Sequence, residues 1–170
     1  WILRGDGTND DNLETTTSPL QDDFGKFTIF SRVRMSNWYQ GEGIFGRCGT
    51  GADGTFNIGC SSTIDAIRFL VIGDADTKQI THVDAGLFDT EWHTIAATLE
   101  GPAKRTLYAD GVQAENTQTT NIGSIAASGI EWQILSYSTV EFAADVAECM
   151  FWDRALSDNE IMQLYIDPLA

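Results

Sequence analysis

Trp92-His93-Thr94-Ile95-Ala96-Ala97-Thr98-Leu99-Glu100-Gly101-Pro102-Ala103-Lys104-Arg105-Thr106-Leu107-Tyr108-Ala109-Asp110-Gly111-Val112 decides the fold. In an extended chain His93, Ile95, Ala97 and Leu99 fall on one face, and Trp92, Thr94, Ala96 and Thr98 on the other. This period of two, rich in Thr and Ile and bounded by Gly and Pro, predicts a strand rather than a helix. The segment therefore reads as two strands joined by a Gly-Pro turn, followed by a tight turn at Asp110-Gly111. Asp-Gly suits a type I′ turn because both residues tolerate positive φ.

The pattern repeats outward from this hairpin. Phe27, Ile29, Ser31, Val33 and Met35 alternate with Thr28, Phe30, Arg32 and Arg34, as in a half-buried strand. Shorter strands are expected at Trp1–Arg4, Ile44–Arg47, Thr55–Cys60, Ala66–Ile72 and Gln79–Val83, and around Ile130, Trp132 and Ile134. Many short strands separated by Gly, Asp and Ser, with almost no helix, predict an all-β chain folded as a two-sheet antiparallel β-sandwich. Asn116–Ser128 is a polar connection without a period. One helix is expected, at the C-terminal end. Ser157-Asp158-Asn159-Glu160 forms a capping box, Leu156 and Ile161 stand at staple positions, and Pro168 blocks continuation. Ile161, Leu164 and Tyr165 share one face, and the helix is expected to plug one end of the sandwich.

The 170 residues fit a single domain, 1–170, that buries about 70% of its unfolded surface. A net charge of −15 argues against nucleic acid, whose binding rests on Lys and Arg neutralising phosphates, and against anionic membranes. No apolar run approaches the ~20 residues that span a bilayer, so no membrane insertion is expected. Cys48 and Cys60 flank Gly49-Thr50-Gly51-Ala52-Asp53-Gly54, which reads as a hairpin tip. They are either a disulfide, which would add about 3 kcal/mol and imply an oxidising compartment, or two reduced thiols. Cys149 reads as a small core residue rather than a nucleophile. The acidic turn Gly5–Asn12 can offer carboxylates and carbonyls to calcium but lacks an EF-hand loop. Arg4-Gly5-Asp6 at its start reads as a structural turn rather than an adhesion motif.

The central hairpin, with Trp92-His93-x-Ile95-Ala96-x-Thr98 followed by Leu107-Tyr108-x-Asp110-Gly111-Val112, resembles that of laminin-G-like (concanavalin A-like) jelly-roll domains. Asp145-Val146-Ala147-Glu148-Cys149-Met150-Phe151-Trp152-Asp153-Arg154-Ala155-Leu156-Ser157 is similar to the family's closing strand, and Phe27–Val33 to its early strand. The resemblance brackets nearly the whole chain and implies a jelly roll. That fold carries lectins, glycosidases, adhesion modules and virion proteins, so it leaves the function open. It also implies a structural Ca²⁺ between the N-terminal turn and the closing strand, at Asp6 and Asp145 with Asp10 as an outside third ligand. Ala144 departs from the Gly of many relatives at that strand.

Glycosidases of this fold place two carboxylates about 5–9 Å apart across the scissile bond, commonly as Glu-x-Asp-x-(x)-Glu. That run is missing, and Asp145 and Glu148, three residues apart, are expected on opposite faces of a regular strand. Of His82 and His93, the latter lies on the core-facing pattern and reads as a hydrogen-bonded structural residue. The chain is therefore expected not to be an enzyme. A sugar site needs a flat aromatic beside amides or carboxylates, which Trp38 and Tyr39 with Glu42 would supply from a loop. Trp132 and Tyr137 would add to it from a strand, unless Trp1, Trp92, Trp132 and Trp152 fill the core.

The leading expectation is a non-catalytic extracellular binding module for glycans or surface components. Two others stand beside it: a structural virion-surface protein, such as a phage capsid-decoration or tail module built as a homo-oligomer, and a carbohydrate-active enzyme. An exposed apolar patch or tight self-association would favour the virion reading over the lectin-like one.

Overall fold

The computed structural model describes residues 3–4, 13–14, 25–37, 41, 43–47, 54–61, 66–75, 77–83, 86–114, 118–125, 132–137, 140–141 and 144–167, with backbone alone at 3–4, 13–14, 78–83, 136–137 and 140–141. In chain order the strands begin with β1 (Leu3–Arg4), β2 (Leu13–Glu14), β3 (Lys26–Met35), β4 (Gly43–Arg47) and β5 (Phe56–Cys60). There follow β6 (Ala66–Ile72), β7 (Thr77–Val83), β8 (Trp92–Glu100), β9 (Lys104–Ala109) and β10 (Val112–Gln113). The last are β11 (Trp132–Ile134), β12 (Ser136–Tyr137), β13 (Val140–Glu141) and β14 (Ala144–Trp152), ahead of the helix α1 (Asp158–Ile166). One sheet runs β1-β14-β3-β8-β9-β10, the other β2-β11-β4-β5-β6-β7, and β12 pairs with β13. Every pairing between these strands is antiparallel. The result is the expected β-sandwich.

Alternation along β3 and β8 fixes what lies between the sheets. Phe27, Ile29, Val33 and Met35 of β3 and Ile95, Ala97 and Leu99 of β8 are fully buried. Phe56, Ile58, Ile67, Phe69 and Val71 of β5 and β6 oppose them in the same core. The centre is aromatic. Phe27 lies 4.3 Å from Phe56 between ring centroids, and Trp132 packs edge-on against Phe56 at 5.4 Å and Phe151 at 5.0 Å. Such contacts contribute about 0.5–1.5 kcal/mol each beyond the area they bury. Trp132 is thus a core residue, and its ring offers no open face to a sugar.

The β9–β10 turn has the expected geometry, with φ of 49° at Asp110 and 73° at Gly111. At α1 the Ser157 hydroxyl accepts from the Glu160 N–H, and the Glu160 carboxylate accepts from the Ser157 N–H at 2.9 Å. Arg154 grips the same carboxylate through two nitrogens, at 3.1 and 2.8 Å. Those bonds, Arg154's first and the Ser157 N–H next, hold the Glu160 carboxyl down at about 2.

The helix does not plug an end of the sandwich. Phe30, Ala96 and Tyr108, register neighbours on β3, β8 and β9, form an apolar row on the outer face of the first sheet, and Leu156 and Ile161 cover it. Periodicity identified Ile161 and Leu164 as inward-facing but not which surface they would meet, and it grouped Tyr165 with them, whereas Tyr165 is exposed on the helix's other side. Thr28, fully buried, fixes the approach of the connecting segment. Its hydroxyl donates to the Arg154 carbonyl at 2.9 Å and accepts from the Leu156 N–H at 2.9 Å. Thr28→Val keeps the shape but strands both backbone groups, and is expected to cost about 2–3 kcal/mol. A drop in denaturant midpoint at unchanged m-value would show it; an unchanged midpoint would mean that α1 docks by apolar contact alone.

Candidate functional site

A cleft of about 360 Å³ opens where three connections meet, lined by Asp74, Leu99, Pro102, Asn121, Gly123 and Ile125 among others. Asp74 follows β6, Gly101-Pro102 turns β8 into β9, and Asn121–Ile125 belongs to the polar segment after β10. Backbone bonds lace the three together. The Asp74 N–H donates to the Ser124 carbonyl at 3.0 Å, the Ala75 N–H to Ile122 at 3.1 Å, and the Ile122 N–H to Pro102 at 2.9 Å. Arg105, fully buried on β9, donates from Nη1 to the Thr120 carbonyl at 2.9 Å. Loops held this way present fixed groups, as binding loops on a rigid scaffold do.

Two side chains carry the polarity of the cleft. Asp74 Oδ1 accepts from the Ser124 N–H at 2.9 Å, which leaves Oδ2 open. Asn121 Oδ1 accepts from the Gly123 N–H at 2.8 Å, which leaves its Nδ2 open. Gly123 is required here: its φ is +76°, and a Cβ would fall 1.8 Å from Asp74 Oδ1. One carboxylate acceptor and one amide donor beside Leu99, Pro102 and Ile125 make a small amphipathic site. The Asn-x-Gly turn was legible in Asn116–Ser128, but nothing local placed it against Asp74.

A larger groove of about 580 Å³ lies on the outer face of the first sheet beside the start of α1. Its charges are turned on one another: Lys104 pairs with Glu100 at 2.6 Å and Arg154 with Glu160, while the Tyr108 hydroxyl donates to Asp158 at 2.7 Å. It offers a ligand less than the Asp74 cleft does.

Most of the other expected site residues are not among those described. Trp38, Tyr39, Glu42, Asp6, Asp10 and Cys48 lie outside the described residues, as does the side chain of Tyr137. Gly41, in the Trp38–Glu42 loop, is anchored to Ser61 and Arg68, at the end of β6 opposite Asp74. Cys60 is fully buried on β5. Cys149 is also a core residue, 3.7 Å from the Ser31 hydroxyl, and burial pushes its thiol up to about 12. Asp145 is engaged by Arg34, whose Nε donates at 2.9 Å and whose Nη2 contacts the same oxygen. Of the expected calcium ligands only Asp145 is described, and Arg34 takes one of its two oxygens. No group of three or more His, Cys, Asp or Glu suited to a metal exists among the described residues.

His93 ends the inner face of β8 and is hydrogen-bonded on both ring nitrogens, Nδ1 to Asp110 at 2.7 Å and Nε2 to Asp89 at 2.9 Å. Asp110 Oδ1 also accepts from the Thr94 N–H at 2.9 Å, and the neighbouring Thr90 N–H donates to Met35 at 3.0 Å. The ring joins the 86–91 loop to the β9–β10 turn. Burial acts to lower its pKa, but the hydrogen bonds and charges of Asp89 and Asp110 outweigh that and raise it. When protonated, the ring clamps the two carboxylates together. Because folding raises the His93 pKa, the clamp's stabilisation is complete below the unfolded value of about 6.5 and is lost as pH rises through the folded value. The Asp89 carboxyl, lowered first by the His93 bond and then by the Glu91 N–H, stabilises above about 3.9 and fails on acidification. Melting temperature is expected to fall from about pH 6 to about pH 9 in the wild type and to stay flat over that range in His93→Gln. Parallel curves would refute the clamp.

The profile described as the concanavalin A-like lectin/glucanases superfamily matches residues 6–162. No curated protein matches by sequence. Among solved structures, a native heptameric SAP-like pentraxin from Limulus polyphemus superposes with a TM-score of 0.70 at 14% identity, covering 96% of this chain and 80% of that one. The binding domain of botulinum neurotoxin serotype G gives 0.69 at 17% identity, covering 97% of this chain and 42% of that one. The binding domain of Paraclostridial Mosquitocidal Protein 1 gives 0.72 at 13%, covering 96% and 42%. At these identities the likeness is one of fold, and it agrees with the sandwich in which the chain is built. This chain belongs to the concanavalin A-like lectin/glucanase superfamily.

Proposed function

We propose that this chain is a non-catalytic module that binds glycans outside the cell or on a virion surface, and that the Asp74–Asn121 cleft seats the sugar. One observation carries the reading: an open carboxylate oxygen and an open amide nitrogen, each fixed by a backbone hydrogen bond on its other atom, share a partly apolar cleft. A vicinal pair of hydroxyls donates to the one and accepts from the other, and the C–H face of the ring packs on the exposed Pro102. The two toxin neighbours are themselves described as binding domains, which suits this reading. Glycosidic hydrolysis needs two facing carboxylates, and Asp74 is the one acidic residue among the cleft's described lining. A building-block role on a virion is favoured by a different feature, the exposed apolar patch taken up below.

Glycan-array binding followed by calorimetry on the best ligand tests the proposal. Asp74→Asn keeps the acceptor for the Ser124 N–H and removes only the open carboxylate oxygen. It is expected to weaken binding about 10- to 100-fold at unchanged melting temperature. Wild-type affinity in that variant, or no glycan retained by the wild type, would overturn the assignment.

A further inference from the structure

Four large apolar side chains stand exposed among the described residues, Val112 at 59%, Met162 at 39%, Tyr165 at 45% and Ile166 at 69%, and the last three stand together. Met162, Tyr165 and Ile166 are spaced i, i+3, i+4 and share one face of α1. Ile161 and Leu164 turn the other way, into the row formed by Phe30, Ala96 and Tyr108. The β9–β10 turn borders that face, since a Cβ on Gly111 would lie 3.0 Å from the Met162 sulfur and 3.3 Å from the Tyr165 ring; Val112, paired with Ala109, lies on the opposite face of the sheet. The helix is therefore apolar on two sides, with one side docked and the other facing solvent. Single exposed apolar residues are ordinary, but a gathered patch marks an interaction surface.

The surroundings say what chemistry fits. The helix carries Asp158 and Glu160 in its first turn and no base in its last. Ile166, the most exposed of the four, sits at the helix C-terminus, where the macrodipole is negative and a cation is favoured. The chain as a whole has a net charge of −15. A second copy would press two such acidic helices together, and like charges facing across an interface are costly. We propose that Met162, Tyr165 and Ile166 dock a short segment of a partner protein whose apolar side chains are flanked by lysine or arginine. Three side chains are too few for a standard interface of ~800 Å² per partner but enough to anchor one short peptide.

The probe is a fluorescent amphipathic peptide of leucine and lysine, titrated by anisotropy into the full chain at physiological salt beside a scrambled peptide of the same composition. The ordered peptide is expected to bind at least about tenfold more tightly than the scramble, and to lose at least about tenfold in Met162→Ser/Ile166→Ser. Both replaced side chains are exposed, so circular dichroism should show the variant folded. Equal binding of the two peptides would reduce the attraction to net charge and overturn the proposal. So would undiminished binding to the variant. Light scattering supplies the remaining outcome: a wild-type dimer that the double variant breaks would assign the patch to a second copy instead.

Discussion

The contact between Phe27 and Phe56, 4.3 Å apart between ring centroids, is the constraint on which the molecule depends. It joins the centre of one sheet to the centre of the other, and Trp132 and Phe151 close the aromatic knot around it. Once the inner faces are committed to apolar packing, polar chemistry is displaced to the outer faces and to the loops at the sheet ends. Arg105 links the two regimes. It is fully buried, yet it bonds the Thr120 carbonyl, and its own backbone pairs with Gln118, so a strand of the core fixes the segment that carries Asn121 and Gly123.

That separation explains how much could be read from the sequence. Strand existence is a local property of period two. β6 (Ala66–Ile72) and the hairpin Trp92–Val112 were accordingly legible almost to the residue, as were the Asp110-Gly111 turn and the Ser157–Glu160 capping box. The structural role of His93 was legible too, because a polar residue on a core-facing pattern needs partners; that they would be Asp89 and Asp110 was not. The cleft was hidden for a different reason. Asp74 and Ser124 are 50 residues apart, and neither segment has a period that names its neighbour. They meet only when the sandwich closes. Register hid the fate of Asp145 in the same way, since its pairing with Arg34 follows from the antiparallel alignment of β14 with β3. Helix amphipathicity identified Ile161 as inward-facing, but only tertiary packing decides that inward means the outer face of a sheet.

Charge sets the boundary on what such a surface can recognise. The chain has 10 Lys and Arg against 25 Asp and Glu. Among the described residues, Arg34 is engaged by Asp145, Lys104 by Glu100 and Arg154 by Glu160. Such exposed pairs add little stability, but they remove cations that would otherwise attract anions. The excess acid remains, and the surface repels polyanions at any distance within a Debye length. Neutral sugars approach without that penalty, and basic segments approach with assistance. The proposed neutral cleft ligand and the proposed basic docking segment would thus be two consequences of one charge imbalance.

The strand β9 (Lys104–Ala109) shows that both can be held at once. The Gly101-Pro102 turn before it borders the cleft, and the Asp110-Gly111 turn after it borders the apolar patch. Six extended residues separate the turns by about 20 Å, so a ligand at one end does not cover the other. Between them the strand is pinned on one side by β8 and capped by α1, and a rigid spacer of that kind transmits position rather than motion. A partner at the patch would therefore leave the cleft's affinity unchanged while fixing where the cleft points. Held in several copies on a larger body, weak single sites then act together, and avidity rises through effective concentration without any new contact to the sugar.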